Sequence, residues 1–321
     1  MSILVFVEHH GDELRRGPLG VLSKAADLDR DVAAVIMGGP EVKALAPEVG
    51  RFGAATVHVA EDGSLASPLP QPRVDVMAGL VRDHGYDTVL FSNSVLAADI
   101  AGGLAARLDG GLNWDLVDIS LSGAELIGTR PALADSVLVE VGWRSTPRLA
   151  LCRAGSFAAT ERAGQPEVRP APVELESHSV AARVVDQVVL PDSGPSLEGA
   201  EVIVTGGMGL GGPEHLSLTE DLARVLGGVV GATRAVVYAG WAPHSAQIGQ
   251  TGKTVSPKLY VALGVSGAVQ HRVGMQNSET VVAINKDPRA PIFEFCDLAV
   301  VGDVHTVVPP LVELLRRRRG P

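Results

Sequence analysis

The stretch Gly249-Gln250-Thr251-Gly252-Lys253, followed by Ser266-Gly267-Ala268-Val269-Gln270-His271 and then Asn285-Lys286-Asp287, gathers glycines, amides, hydroxyls, one histidine and one aspartate into about forty positions. The apolar runs around it, Leu259 to Ala262, Thr280 to Ile284 and Leu298 to Val301, are short and aliphatic, the pattern of buried parallel strands. Small and polar residues at the ends of such strands build a backbone-rich cradle for a dinucleotide. A cradle of this kind points to a bound redox cofactor rather than to hydrolysis or nucleic acid.

Outward from this stretch, the second half reads as one α/β pattern. Glu201 to Thr205 forms a strand, 215–227 a helix, 267–275 a short helix opened by Ser266 as N-cap, and 304–318 a closing helix. The first half alternates as well. Ile3 to Val7, Val32 to Met37, Ala55 to Val59 and Thr88 to Phe91 read as strands, with helical patterns at 19–29, 41–50, 71–84 and 96–108. Strands separated by helices imply right-handed crossovers and a parallel sheet covered on both faces. From about residue 114, turns alone separate Leu116–Leu121, Glu125–Thr129, Ser136–Val141 and Arg148–Leu151, which therefore read as appended antiparallel strands. Two Pro/Gly-rich stretches lie between 161 and 198. The expectation is an α/β chain of two domains. An N-terminal parallel-sheet domain with appended antiparallel strands covers 1–190, a linker 191–199, and a Rossmann-like domain 200–321.

Composition narrows the function. The chain has 321 residues, 46% hydrophobic, 20% charged and 4% aromatic, with net charge −10. An acidic chain poor in aromatic residues lacks the basic and stacking surfaces of a nucleic-acid binder. The basic run Arg316 to Arg319 reads as a solvated helix end facing the helix dipole, or as a docking tail for an acidic partner. Cys152 and Cys296 have no metal-ligand spacing and read as buried thiols in a reducing compartment. The opening Met1-Ser-Ile-Leu-Val-Phe-Val-Glu reads as a first strand rather than a signal peptide, and no apolar run reaches the length of a membrane span. The expected location is the cytoplasm.

Each motif carries two readings. Gly207-Met208-Gly209-Leu210-Gly211-Gly212 fits G-x-G-x-x-G after a strand, either as a phosphate-contacting turn or as a structural turn. The acid that a nicotinamide dinucleotide needs about 20 residues on is missing between Gly227 and Val236, which disfavours that cofactor. Gly252-Lys253-Thr254 imitates the end of a phosphate loop, but Gln247 stands where its first glycine belongs. What remains there is a loop offering Thr251, Gln247, Gln250 and exposed backbone. His271 is either a core histidine or a ligand-facing one behind a capped turn. Arg234 follows a strand-like Gly-Val-Val and points either into the crevice of an open sheet or into solvent.

Taken together, these blocks resemble a family. Gly231-Ala-Thr-Arg-Ala, Gln247-Ile-Gly-Gln-Thr-Gly-Lys, Ser266-Gly-Ala-Val-Gln-His, Gly274-Met, Val282-Ala-Ile-Asn-Lys-Asp and Ala290-Pro-Ile-Phe are similar, in order and spacing, to the FAD-binding domain of electron-transfer flavoprotein alpha subunits. Leu4-Val-Phe-Val-Glu-His, Ala98 to Leu108 and Thr129-Arg-Pro resemble that family's first domain more loosely. The resemblance implies one noncovalent FAD. Arg234 would lie near flavin N5 with Thr233 beside it, and His271 near the C2 carbonyl. Gln247, Ile248, Gly249, Gln250 and Thr251 would line ring and chain, and Ser266, Gly267, Ala268, Val269, Gln270 and His271 the ribityl and phosphate portion. Asn285, Asp303 and Val304 would take the adenosine end. It further implies a redox carrier paired with a beta subunit that contacts the first domain. Electrons would come from a flavin dehydrogenase and pass to an acceptor such as a quinone reductase, through an anionic semiquinone stabilised by Arg234 and His271. Met208 stands where the family usually carries an arginine, and Ala132-Leu-Ala-Asp-Ser replaces a glycine-rich run. A flavoenzyme on the same scaffold and an assembly partner without FAD are the alternative readings.

Overall fold

A computed structural model describes residues 2–29, 31–123, 125–133, 137–186, 197 and 199–319. The chain divides into two compact units, Met1–Gln187 and Val188–Pro321. Of the expected linker, 191–196 and 198 lie outside the described residues.

The first unit is built on strands β1 (Ile3–Phe6), β2 (Val32–Gly38), β3 (Thr56–Glu61), β4 (Thr88–Ser92), β5 (Gly111–Leu116), β6 (Asp118–Ser122), β7 (Glu125–Ala132), β8 (Val137–Val141), β9 (Arg148–Cys152) and β10 (Glu167–Pro170). Its main sheet has seven parallel strands in the order β10-β3-β2-β1-β4-β9-β5. Helices α1 (Arg16–Leu28), α2 (Pro70–His84) and α3 (Val95–Leu108) supply crossovers. Ser94 caps α3, its hydroxyl accepting from the Ala97 N–H at 3.0 Å. Every residue of β2, Val-Ala-Ala-Val-Ile-Met-Gly, is buried, because helices cover both faces.

Strands β6, β7 and β8 form the expected antiparallel sheet. Arg148–Cys152 does not join them. It inserts as β9 between β4 and β5 of the main sheet, parallel to both. Turn-only connections suggested a hairpin. However, β6 to β8 form an excursion from which the chain returns to the sheet, where all but the first residue of β9 are buried. Cys152 is fully buried, and burial pushes its thiol up to about 12, whereas Cys296 is only partly covered.

The second unit contains β11 (Val202–Gly206), α4 (Leu216–Leu226), β12 (Val229–Thr233), α5 (Arg234–Tyr238), β13 (Gln247–Ile248), β14 (Leu259–Leu263), α6 (Val269–Arg272), β15 (Val281–Asn285), β16 (Leu298–Val301) and α7 (Val304–Arg319). Its six strands are parallel and run β13-β12-β11-β14-β15-β16. In chain order within the unit this is third-second-first-fourth-fifth-sixth, the doubly wound dinucleotide-binding arrangement. The order reverses between β11 and β14. Connections leaving the two strands there diverge to opposite sides and leave a crevice at the carboxyl ends. No helix among the described residues is long and apolar enough to cross a membrane.

Candidate functional site

A cavity of about 730 Å³ opens at the carboxyl edge of the second sheet, within the range of roughly 300–1,000 Å³ common for cofactor sites. Successive strand ends supply its wall. Gly207, Met208 and Gly209 follow β11, and Thr233, Arg234 and Ala235 close β12 and open α5. Ile248, Gly249, Gln250 and Thr251 follow β13, and Ser266, Ala268, Gln270 and His271 follow β14. Asn285, Asp287, Ala290 and Pro291 complete it beyond β15.

Two loops far apart in sequence make one surface. The Gln250 N–H donates to the Gln270 carbonyl at 2.7 Å, and the Val255 N–H to the Gly274 carbonyl at 2.8 Å. A Cβ on Gly274 would lie 2.4 Å from the Gly249 nitrogen, so side-chain-free backbone is required where the loops meet. Asn285 Nδ2 donates to the Val265 carbonyl at 2.8 Å and ties the β15 end to the turn after β14.

The glycine string after β11 is structural. The N–H groups of Gly207, Gly209, Leu210 and Gly211 donate to the carbonyls of Leu263, Gly264, Gly207 and Met208. A Cβ on Gly207 would come within 2.3 Å of the Gly264 oxygen. These glycines let two turns touch at the switch point, and donors already engaged in that packing do not offer themselves to a phosphate.

His271 is 7% exposed and has protein partners on both ring nitrogens. Nδ1 lies 3.1 Å from the Ile248 carbonyl and Nε2 2.9 Å from the Tyr260 hydroxyl. Burial pushes the imidazole down to about 4, against a smaller opposing effect of the Ile248 bond. The ring is therefore neutral at neutral pH. With both nitrogens engaged it braces the wall, which differs from the expected free donor.

Arg234 begins α5 directly at the end of β12. Its guanidinium stacks 4.7 Å from the Tyr238 ring centroid, and Nη2 donates to the Tyr238 hydroxyl at 3.3 Å. It makes no ion pair among the described residues. Beside it the Thr233 hydroxyl is buried without a hydrogen-bond partner. A buried unsatisfied hydroxyl in a cavity wall is costly unless a ligand satisfies it.

Five expected residues lie outside the wall. Gln247 is 1% exposed and turns inward, its Nε2 donating to Thr251 Oγ1 at 3.0 Å. Gly267 packs against Ile292, where a Cβ would meet backbone at 2.4 Å. Val269 is 52% exposed. Asp303 accepts the His305 N–H at 2.9 Å at the start of α7, and Val304, the first residue of that helix, is buried. Asp303 nevertheless continues the same edge, because the preceding Gly302 N–H donates to the Asn285 carbonyl at 3.0 Å. Ser266 is in the wall but is not the N-cap. The helix has only four residues, and Ala268 precedes it.

Sequence reasoning missed Tyr238 and Tyr260. Tyr238 could have been found, since a residue four positions after Arg234 on a helix shares its face. Tyr260 could not, because its hydroxyl meets His271 only through the packing of β14 beneath α6.

Residues 3–181 match the electron transfer flavoprotein domain, and 196–276 match the electron transfer flavoprotein FAD-binding domain. The electron transfer flavoprotein subunit alpha of Mycobacterium tuberculosis is 40% identical over 320 residues, covering 99% of both chains. The chain belongs to the electron transfer flavoprotein alpha subunit family. The corresponding subunit of Syntrophomonas wolfei is 37% identical over 313 residues, 98% of each chain, and the protein FixB of Rhizobium meliloti is 36% identical over 332 residues, all of this chain and 94% of that one. The cofactor of this electron transfer flavoprotein family is FAD. The cavity fits it: the volume suffices, and among the described residues the Thr233 hydroxyl has no hydrogen-bond partner and Arg234 no ion pair.

Proposed function

We propose that this chain is the FAD-bearing half of a two-subunit carrier that takes electrons from flavin dehydrogenases and passes them singly to an acceptor such as a quinone reductase. The reading rests on Arg234. A guanidinium with no carboxylate partner among the described residues, lining the cavity, favours extra negative charge on whatever occupies it. Bound FAD would supply one-electron chemistry, with the anionic semiquinone as the state that Arg234 stabilises. The protein's own part is to hold, orient and electrostatically bias the ring. His271 is neutral and engaged, so the wall is suited to electron transfer more than to proton transfer.

The second chain would be a beta subunit docked on the first unit. Strand β8 supports this, with Val137, Leu138 and Val139 exposed by 42%, 67% and 37%. An apolar edge strand left open is a pairing hazard that a partner removes. Trp114, 57% exposed beneath the Arg130 guanidinium at 4.7 Å, lies in β5, which packs against β7. The proposed compartment is the cytoplasm.

Stepwise anaerobic reduction of the purified pair, followed by visible spectroscopy, tests the reading. A red anionic semiquinone is the expected result. Flavin passing straight to the two-electron form would replace this reading with a flavoenzyme on the same scaffold, an alternative favoured by Met208, an apolar side chain 47% exposed in the wall. A pair that takes up no FAD would overturn both.

A further inference from the structure

Tyr260 sits in the middle of β14 with no solvent exposure and is among the largest fully buried side chains of the chain. A buried phenol needs a hydrogen-bond partner. It has one in His271 Nε2 at 2.9 Å, on the far side of the imidazole from the Ile248 carbonyl. The chemistry of the three groups sets the direction of both bonds. A carbonyl oxygen can only accept, so His271 Nδ1 must carry the proton. Nε2 then presents a lone pair and must accept from the Tyr260 O–H. The opposite tautomer would place a lone pair against the Ile248 oxygen. Burial disfavours the doubly protonated ring and also raises the tyrosine above its ordinary range, so both groups stay neutral.

We propose that Tyr260 is a positioning residue of the cofactor site: its hydroxyl donates to Nε2 of the Nδ1–H tautomer that the Ile248 carbonyl fixes, and so holds the His271 ring where it clamps that carbonyl and sets the Gly249–Gln250 wall. This rests on the FAD reading of the cavity and extends it to a residue that never touches the ligand. The clamp adds the Ile248 carbonyl to the ties this wall already has, from the Gly249 N–H to the Lys253 carbonyl at 3.2 Å and from the Gly252 N–H to the Gly249 carbonyl at 2.9 Å. Gly249 has a φ of 143°, where only glycine is at ease, and Gln250 is tied across by its N–H to Gln270. With the Tyr260 hydroxyl removed, Nε2 is a buried acceptor without a donor. The ring gains by turning Nε2 toward another donor or water, and that turn releases the Ile248 carbonyl.

Tyr260→Phe deletes one oxygen and preserves the ring. The test is carried out on the full chain paired with its beta subunit, with ¹⁵N-labelled histidine. In the unsubstituted protein the ¹⁵N shifts of His271 should report Nδ1–H. In Tyr260→Phe the Nε2 shift should move to that of an acceptor that has lost its donor, and FAD should bind about five- to tenfold more weakly. His271→Asn keeps an amide donor toward Ile248 without Nε2, so Tyr260→Phe on that background should leave FAD affinity unchanged. A merely structural tyrosine would move neither the Nε2 shift nor this coupling. An Nε2–H tautomer in the unsubstituted protein, or a Tyr260→Phe variant with unchanged Nε2 shift and affinity, overturns the proposal. If Tyr260→Phe does not fold, the ¹⁵N spectrum of the unsubstituted chain decides. Failure of the unsubstituted pair to take FAD would count against the cofactor reading alone, since the tautomer is read without it.

Discussion

The Arg234 guanidinium lies over the ring of Tyr238, one helical turn further on, with the tyrosine hydroxyl accepting from Nη2. The cation is thus held at the cavity mouth by an aromatic platform instead of a carboxylate and keeps its full charge for the ligand. A charge-assisted contact of this kind contributes about 1.5–3 kcal/mol. Arg234→Ala should therefore lower the population of anionic semiquinone relative to oxidised flavin by about tenfold or more, read from absorbance during stepwise reduction. An unchanged yield would remove Arg234 from the tuning role. Tyr238→Ala should produce a smaller loss in the same direction, because the cation remains but is no longer held.

Backbone contact between the two cavity loops leaves no room for a methyl group. A Cβ on Gly274 would meet Gly249 N at 2.4 Å and Cα at 2.5 Å. Gly274→Ala should cost about 1–3 kcal/mol of stability and weaken FAD binding at the same time, measured by thermal unfolding and flavin titration. Gly102, in the middle of α3, faces open space. Gly102→Ala should be neutral or stabilise by up to about 1 kcal/mol without affecting flavin.

Met208 puts an uncharged, half-exposed side chain in the wall near the glycine turns. Met208→Arg should tighten FAD by up to about tenfold if the ligand presents phosphate oxygens there. Equilibrium dialysis or fluorescence quenching gives the affinity directly. Weaker binding would mean that the ligand uses the apolar surface of Met208.

Acid should weaken each unit through one buried histidine. His58, hydrogen-bonded to the Tyr86 hydroxyl at 2.7 Å, is held down to about 4 by burial, then by His84 and Arg169, with Glu167 opposing. His271 is also held down to about 4. Between about pH 6.5 and 4 the unfolded chain takes up protons at these sites and the folded chain does not. The stability from keeping both rings neutral is therefore full above about 6.5 and lost as pH falls toward 4, on the order of 3 kcal/mol per histidine. Urea unfolding across this window should show the decline. His271→Asn should flatten it for the second unit only.

The fold was legible to the extent that its signals were local. The β2 and β14 runs are apolar throughout because they are covered on both faces, and the helices between them carry their own caps and periodicity. Arg148–Cys152 was misread because the partner of a strand depends on where the chain returns, which local composition does not encode. The candidate site divides the same way. Arg234, Gly249, Gln250 and Asn285 stand at strand ends or in the turns beyond them, where doubly wound topology brings residues to one crevice.

From the order of residues alone come the α/β class, the family, the cofactor and most of the cavity wall, because strand periodicity and short glycine-rich blocks are properties of neighbouring residues. Tertiary packing alone decided that Gln247 turns inward while Gln250 faces the cavity, that the glycines after β11 pack against Gly264, and that His271 is neutral and engaged on both nitrogens. These depend on which buried donor meets which acceptor. Tyr260 and Ile248 reach His271 on α6 from two separate strands, and no spacing within one segment records that meeting.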